Sequence, residues 1–333
     1  MMIASGSSLF ERAVLPAAPP LPASAWARAS YTAKNSAWAA ASQLQAAGPE
    51  VQLLQAAADP QMPLAAMGQQ ARAAIDVALP ATGALLLRGL PLRDPAACDA
   101  FVDGLGFTKM AYEPFGVPRK KARGVEIQRR VSGIGTLDAA TNIGAQELLD
   151  LHNEMTYNPR PAFKILLICI HPAAVGGDSL VGSTAEVTAN VPDFVVDRFE
   201  RRGGIKYKRT YSNADFPAGP GNYIMSWQER TGARDRDAAA AHFRRLGMTV
   251  DWAGERGDEL VAWNVQPAVV CHPVTGERLW FNLAQHPAPG MITYADGSDI
   301  EDDTVEAIWA ARMAATRYVR LDAGDVLVLD NYR

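Results

Sequence analysis

The chain contains five histidines, His152, His171, His242, His272 and His286, and one of them stands two residues from a carboxylate. In an extended strand, residues i and i+2 project from the same face. His152 and Glu154 of Leu151-His-Asn-Glu-Met155 could therefore hold one metal ion from one side. Two histidines and a carboxylate on one face, with the opposite positions open, form the facial triad of non-haem iron(II) oxygenases. An H-x-E tripeptide also arises often by chance, and alone it reads equally well as a strand-end histidine bonded to a surface glutamate. The other histidines have plainer readings. His272 opens His272-Pro-Val-Thr-Gly-Glu277, where Pro273 and Gly276 supply a turn, so its role is structural. His242 lies in an Ala/Arg helical segment and His171 at the end of an apolar strand, whereas His286, in the loop Ala284–Gly290, is a candidate substrate contact.

Other chemistries lack an anchor. No G-x-G-x-x-G follows a strand, and neither a Walker sequence nor a G-x-S-x-G elbow occurs. The three cysteines, Cys98, Cys169 and Cys271, are widely spaced without a CxxC pair, which argues against a zinc knuckle or a disulfide framework. A net charge of −4 gives no reason to expect nucleic acid as a partner. The basic run Arg119-Lys-Lys-Ala-Arg123 reads as a solvated loop, with attraction of an anionic substrate or carrier as the alternative. The apolar stretches are strand-sized, short of the ~20 residues that cross a bilayer. The N-terminus lacks a basic region followed by an apolar core, so a cytoplasmic protein without a membrane partner is expected.

The elements that must position the pair emerge from patterning. With 48% hydrophobic residues the chain can bury a large core. Residues 1–30, with Pro16, Pro19, Pro20 and Pro22, read as a loosely ordered arm. The Ala/Gln/Leu-rich stretch from Ser36 to about Val77 reads as helices interrupted near Pro60 and Pro63. Residues 1–82 are thus expected to be an arm and helical region, with the main domain over 83–333. There Gly83–Gly89 reads as a strand and Asp94–Gly104 as a capped helix. Strands are expected at Val125–Ser132, Leu148–Met155, Phe163–His171, Asp178–Ser183, Ile205–Tyr211, Leu260–His272, Arg278–Leu283, Arg317–Leu321 and Asp325–Asp330. Ser183-Thr-Ala-Glu186 reads as a capping box opening a helix that runs towards Arg202; further helices are expected at Arg234–Leu246 and Ile300–Ala315. The fold class is mainly β with α additions, a double-stranded β-helix or jelly roll.

Taken in order, the motifs carry a resemblance. Leu151–Met155 is followed by an apolar strand and by Pro172-Ala-Ala-Val-Gly-Gly-Asp-Ser179, then by His272-Pro-Val-Thr-Gly-Glu-Arg-Leu-Trp-Phe-Asn282 and Gly324-Asp-Val-Leu-Val-Leu-Asp-Asn331. From about Gly83 onward the chain resembles the taurine-dioxygenase-like superfamily of Fe(II)- and 2-oxoglutarate-dependent oxygenases, in the branch related to amino-acid hydroxylases of natural-product pathways. Four motifs in the right order are far more specific than any one. The resemblance implies that His152 and Glu154 are iron ligands and that Ser179 stands where a hydroxyl can bond the 2-oxoglutarate carboxylate. It makes Trp280 and Asn282 candidate pocket-lining residues, with a core Trp and a strand-end Asn as the equally open reading.

The implied cofactors are Fe(II) and 2-oxoglutarate, with ascorbate as the reductant in vitro. The implied reaction consumes O2, releases succinate and oxidises, most simply hydroxylates, an unactivated C–H bond. Glu154 favours oxygenation over halogenation, because family halogenases leave that position small. A small molecule, with an amino acid free or tethered to a carrier protein as the candidate, is the expected substrate. Desaturation, epoxidation and cyclisation diverge after the same hydrogen abstraction, and a non-catalytic metal-binding or sensor protein is the alternative from another class. The resemblance also places a second histidine ligand and a 2-oxoglutarate-binding arginine shortly after Asp330-Asn331. They are therefore expected beyond Arg333, and with them the final strands.

Overall fold

The computed structural model describes residues 9–16, 45–48, 51–57, 61–110, 150–173, 177–213 and 226–333. The expected strand Val125–Ser132, the basic run at 119–123 and most of the proline-rich arm lie outside the described residues. In chain order the elements begin with β1 (Phe10–Ala13), β2 (Gln45–Ala46), β3 (Gln52–Ala56), α1 (Leu64–Thr82), β4 (Ala84–Arg88) and α2 (Pro95–Leu105). Next come β5 (Lys164–Ile168), β6 (Ser179–Val181), α3 (Thr184–Asn190), α4 (Asp193–Arg201), β7 (Ile205–Tyr211), α5 (Trp227–Thr231) and α6 (Arg236–Arg245). The remainder is β8 (Thr249–Ala253), β9 (Glu259–Gln266), β10 (Val269–Cys271), β11 (Arg278–Trp280), β12 (Ile292–Tyr294), α7 (Asp302–Ala315), β13 (Arg317–Val319) and β14 (Val326–Asp330).

Three sheets and a hairpin organise these strands. The largest sheet has the order β1-β3-β4-β14-β5, a second is β12-β7-β9-β8, a third is β2-β13-β6, and β10 pairs with β11. The period-2 rule explains how β14 joins two cores. Its Val326 and Val328 face α1 and α2 in one cluster, with Leu85, Leu87 and Phe101. Leu327 faces the other way, with Leu53, Leu86, Val181 and Val319, and so meets the third sheet. A third cluster, around Phe199, Trp280, Tyr294 and Ile308, fills the space between α3, α4 and α7 and the strands β7 and β11.

Several boundaries depart from expectation. Gln52–Ala56 is a strand, parallel to β4 through pairs such as Leu53↔Leu86, where composition suggested helix. Burial of Leu53 and Leu54 on the two faces of a sheet overrides a weak helical preference. β1 pairs antiparallel with β3, so part of the expected arm belongs to the sheet. The described segments before Gly83 thus share a sheet and a core with the residues after it. α1 and α2 cross through glycines: a Cβ on Gly68 would lie 2.2 Å from the Phe101 carbonyl oxygen, and one on Gly104 2.1 Å from that of Ala65. The capping box holds, with Ser183 Oγ accepting from the Glu186 N–H at 3.3 Å. The helix after it is broken, however, because Pro192 N-caps a separate α4. The run Leu260–His272 is likewise split into β9 and β10, with Pro267 between them.

Candidate active site

The His152 segment is not a strand. Residues 151–153 carry no regular secondary structure, 154–157 form a turn, and Met155 has φ 59°. Left-handed backbone at a residue with a large side chain costs roughly 1–2 kcal/mol, so the surroundings must impose it. The same-face argument for an i, i+2 strand pair is therefore corrected, yet the two side chains still converge. His152 Nε2 and Glu154 Oε2 are 3.6 Å apart, each side chain about one-quarter exposed. The Asp150 carbonyl oxygen lies 2.8 Å from His152 Nδ1. A carbonyl can only accept, so Nδ1 donates to it, and in the protonated ring Nε2–H donates to Glu154. Burial alone would lower the His152 pKa; the bond to Glu154 and the charge of Asp150 outweigh it and hold the ring above its ordinary value. A metal ion must displace that proton to bind.

Side chains distant in sequence fix this loop. Asn331, one position past β14, accepts from the Glu154 N–H at 2.7 Å and donates to the carbonyl oxygens of Glu154 at 2.9 Å and Ala162 at 2.7 Å. Its own backbone oxygen accepts from Asn153 Nδ2, which also donates to Thr184 Oγ1 at the start of α3. Arg312 of α7, 2% exposed, donates to the carbonyl oxygens of Leu151 at 3.0 Å and Asn282 at 2.8 Å. Burial pulls its pKa down to about 10 against the opposing charges of Asp150 and Tyr207, so it stays protonated at neutral pH. Asp150 accepts from His286 Nε2 at 2.8 Å and Gln285 Nε2 at 3.2 Å. Burial would raise that carboxyl, but the His286 hydrogen bond, followed by the charges of His286, His152 and Arg312, holds it below the usual range. Gly182, between β6 and α3, completes the packing: a Cβ there would lie 2.6 Å from both Leu151 Cδ2 and the Ala315 carbonyl oxygen.

The remaining candidates divide. Ser179 begins β6 opposite Val319. Cross-strand partners share a face, so its side chain projects with Val181 and Val319 into the space between the two sheets. At about 3.3 Å per residue it lies roughly 10 Å along the chain from Gly182. His286 is brought to the site, bound to the same Asp150 whose carbonyl holds His152, with its ring edge-on to Trp309 at 5.4 Å. Of the two readings open for Trp280 and Asn282, their burial favours the core one. Both are 0% exposed, Trp280 packed edge-to-face on Phe199 and Asn282 tying the Ala268 carbonyl to the Ala284 N–H. The Asn282 carbonyl also accepts from Arg312. His272 is structural as its turn suggested: Nδ1 accepts from the Val274 and Thr275 N–H groups, and Nε2 donates to Asp330. Sequence reasoning misses Asp150, Arg312 and the clamping side of Asn331. The D-N pair is the one available signal, and by itself it points only to a later histidine.

Among the described residues no three His, Cys, Asp or Glu side chains group as a metal site, so His152 and Glu154 stand as a two-donor set. No helix among them is long and apolar enough to cross a membrane. Residues 46–333 match the model of the family described as "Taurine catabolism dioxygenase TauD, TfdA family". The chain is similar to the dapdiamide synthesis protein DdaC of Enterobacter agglomerans, 23% identical over 278 residues that cover 77% of this chain and 78% of that one. It is also similar to a clavaminate synthase-like protein of Arabidopsis thaliana, 23% identical over 272 residues covering 78% of each. The crystal structure of a taurine dioxygenase from Burkholderia xenovorans aligns with TM-score 0.45 and 14% identity, covering 96% of this chain and 80% of that one.

Proposed function

Since the chain belongs to the TauD, TfdA family and is a 2-oxoglutarate-dependent non-haem iron dioxygenase, we propose that it hydroxylates an unactivated C–H bond of a small molecule, with His152 and Glu154 as two of its iron(II) ligands. The observation that carries the assignment is the convergence of His152 Nε2 and Glu154 Oε2 to 3.6 Å while Nδ1 is committed to a backbone carbonyl. Donors that bind a divalent first-row ion at about 2.1 Å stand about 3 Å apart when cis, so a small side-chain adjustment brings this pair to one ion. Imidazole and carboxylate are also the donor types such an ion takes in a facial triad.

Ser179 binds a carboxylate of 2-oxoglutarate through its hydroxyl; its place on the face between the sheets supports this role. His286 is a contact on the substrate side, beside the Asp150 carboxylate. The facing sheets support a double-stranded β-helix as the architecture. An amino acid, free or tethered to a carrier protein, is the substrate class. The support for it is the motif order of the chain and its similarity to a protein of dapdiamide synthesis. When bound, iron(II) with 2-oxoglutarate would activate O2, the oxidant, with succinate and CO2 as co-products. The protein's part is to hold the His152 tautomer, to keep Glu154 in place and to bury the Leu151 side of the loop away from water.

The test uses protein expressed from its full reading frame, assayed for succinate release with Fe(II), 2-oxoglutarate and ascorbate. His152→Ala and Glu154→Ala should each abolish metal-dependent succinate formation while the far-UV circular dichroism stays that of the parent. Parental turnover in either variant removes the basis of the assignment.

A further inference from the structure

We infer that Asn331 is the positioning residue of Glu154: its side-chain amide does for the iron-binding loop what a neighbouring strand does for a ladder residue. The inference rests on the reading of Glu154 as a metal ligand. A ligand carried on a strand has its peptide planes fixed by hydrogen bonds on both sides, but residues 151–157 belong to no strand. Asn331 supplies the equivalent. Its Oδ1 accepts from the Glu154 N–H at 2.7 Å, and its Nδ2 donates to the Glu154 carbonyl oxygen at 2.9 Å. Two bonds to one residue, from either side of its Cα, fix the direction of the Cα–Cβ bond and hence where the carboxylate can reach.

The geometry leaves no slack. An amide offers two N–H donors and an acceptor oxygen; here the second donor goes to the Ala162 carbonyl oxygen at 2.7 Å. Turning the amide over would set N–H against N–H and oxygen against two oxygens, so its orientation is determined. Asn331 is itself anchored. Its N–H donates to the Phe163 carbonyl oxygen at 3.0 Å, and the preceding Asp330 is bound by His272 Nε2 and by the Gly83 carbonyl oxygen through its own N–H. A second, independent mark of constraint is Met155, the next residue after Glu154, held at φ 59° and 4% exposed. Backbone in that region persists where the surroundings over-determine it, and it concentrates at functional sites.

The test is Co(II) binding, followed by ligand-field absorption on protein from the full reading frame, together with thermal unfolding of the same samples. Loss of a group that orients a metal ligand typically lowers metal affinity about 10–100-fold, and that is the expected effect of Asn331→Ala. Asn331→Asp keeps the acceptor for the Glu154 N–H but sets a carboxylate oxygen against the Glu154 and Ala162 carbonyl oxygens, so its affinity should fall at least as far as that of Asn331→Ala. Phe199→Leu, in the core cluster of Trp280 and Tyr294, is the control for stability alone; it should lower the unfolding temperature and leave Co(II) affinity within about twofold. Parental affinity in folded Asn331→Ala overturns the inference, as does an equal loss of affinity in Phe199→Leu. Failure of both Asn331 variants to fold also overturns it, because the residue would then serve folding rather than positioning. The underlying reading fails separately, if His152→Ala binds Co(II) as tightly as the parent.

Discussion

A methyl group at Gly182 should damage the site without touching a metal ligand. Replacement by alanine would set the new Cβ 2.6 Å from the Ala315 carbonyl oxygen and 2.6 Å from Leu151 Cδ2, where ordinary contacts begin at about 3.5 Å. Roughly 0.9 Å must be found. The Ala315 side cannot easily yield, because Ala315 ends α7, is 1% exposed and leads directly into β13, whose Arg317 pairs with Val181 beside the substituted position. Leu151 therefore moves, and it is the residue before His152, with its carbonyl held by Arg312. Overpacking of this kind costs about 1–3 kcal/mol, or a drop of several degrees in Tm at about 2–4 °C per kcal/mol for a large domain. A displacement of about 1 Å at catalytic groups can cost about 100-fold in rate. Thermal unfolding and initial rates of succinate formation should accordingly show a modest Tm loss with a disproportionate loss of turnover. A Gly182→Ala protein with Tm within about 1 °C and rate within about twofold of the parent would refute the packing route from β6 to His152.

Three other outcomes are expected. Ser179→Ala removes the hydroxyl proposed to bond 2-oxoglutarate, and a bond to a charged partner is worth about 1.5–3 kcal/mol, so the 2-oxoglutarate KM should rise about tenfold or more with a smaller effect on primary-substrate binding; steady-state kinetics in both substrates checks this. Arg312→Met strips the buried Leu151 and Asn282 carbonyls of their donor, which should cost about 3–5 kcal/mol in urea unfolding. Burial would raise the Glu301 carboxyl, but the hydrogen bonds from Tyr294 Oη and Arg202, each 2.6 Å, hold it below its ordinary 4.5. A lowered folded pKa gives stability that is present above 4.5 and lost as pH falls through the folded value, so a Tm gap between parent and Glu301→Gln should be open at pH 7 and close on acidification below 4.5.

The legible parts of the chain are those whose signal is local. The run Ile205–Tyr211 alternates and is a strand over that same span, and Asp94 and Ser183 cap helices where their spacing to Ala97 and Glu186 predicts. Asp325–Asp330 reads as a buried strand because Val326, Leu327 and Val328 are apolar on both faces, and the structure places cores on both sides of it. The site is legible in its chemistry and not in its mechanics. Residue type and spacing single out His152 and Glu154, but the strand expected to carry them is a loop, because its backbone is satisfied by side chains from elsewhere. Arg312 reads as one more basic position on a helix, and only the fold shows that its guanidinium is buried under Leu151. The motif that holds Trp280 and Asn282 leaves pocket and core readings open, and their full burial favours the core one.

The contact between Asn331 and Glu154 spans 177 residues. At a synthesis rate of about 5–20 residues per second, Asn331 is made about 9–35 s after Glu154. Until then the loop holding both proposed ligands has no partner for the Glu154 N–H and no constraint that would keep Met155 in its left-handed conformation. Closing so long a loop is entropically slow compared with helix formation or hairpin closure. The earlier elements can therefore be in place while the iron-binding loop still samples other conformations. Competing divalent ions then meet an unformed pair of donors early in synthesis, and metal selection is deferred until β14 and Asn331 have been made.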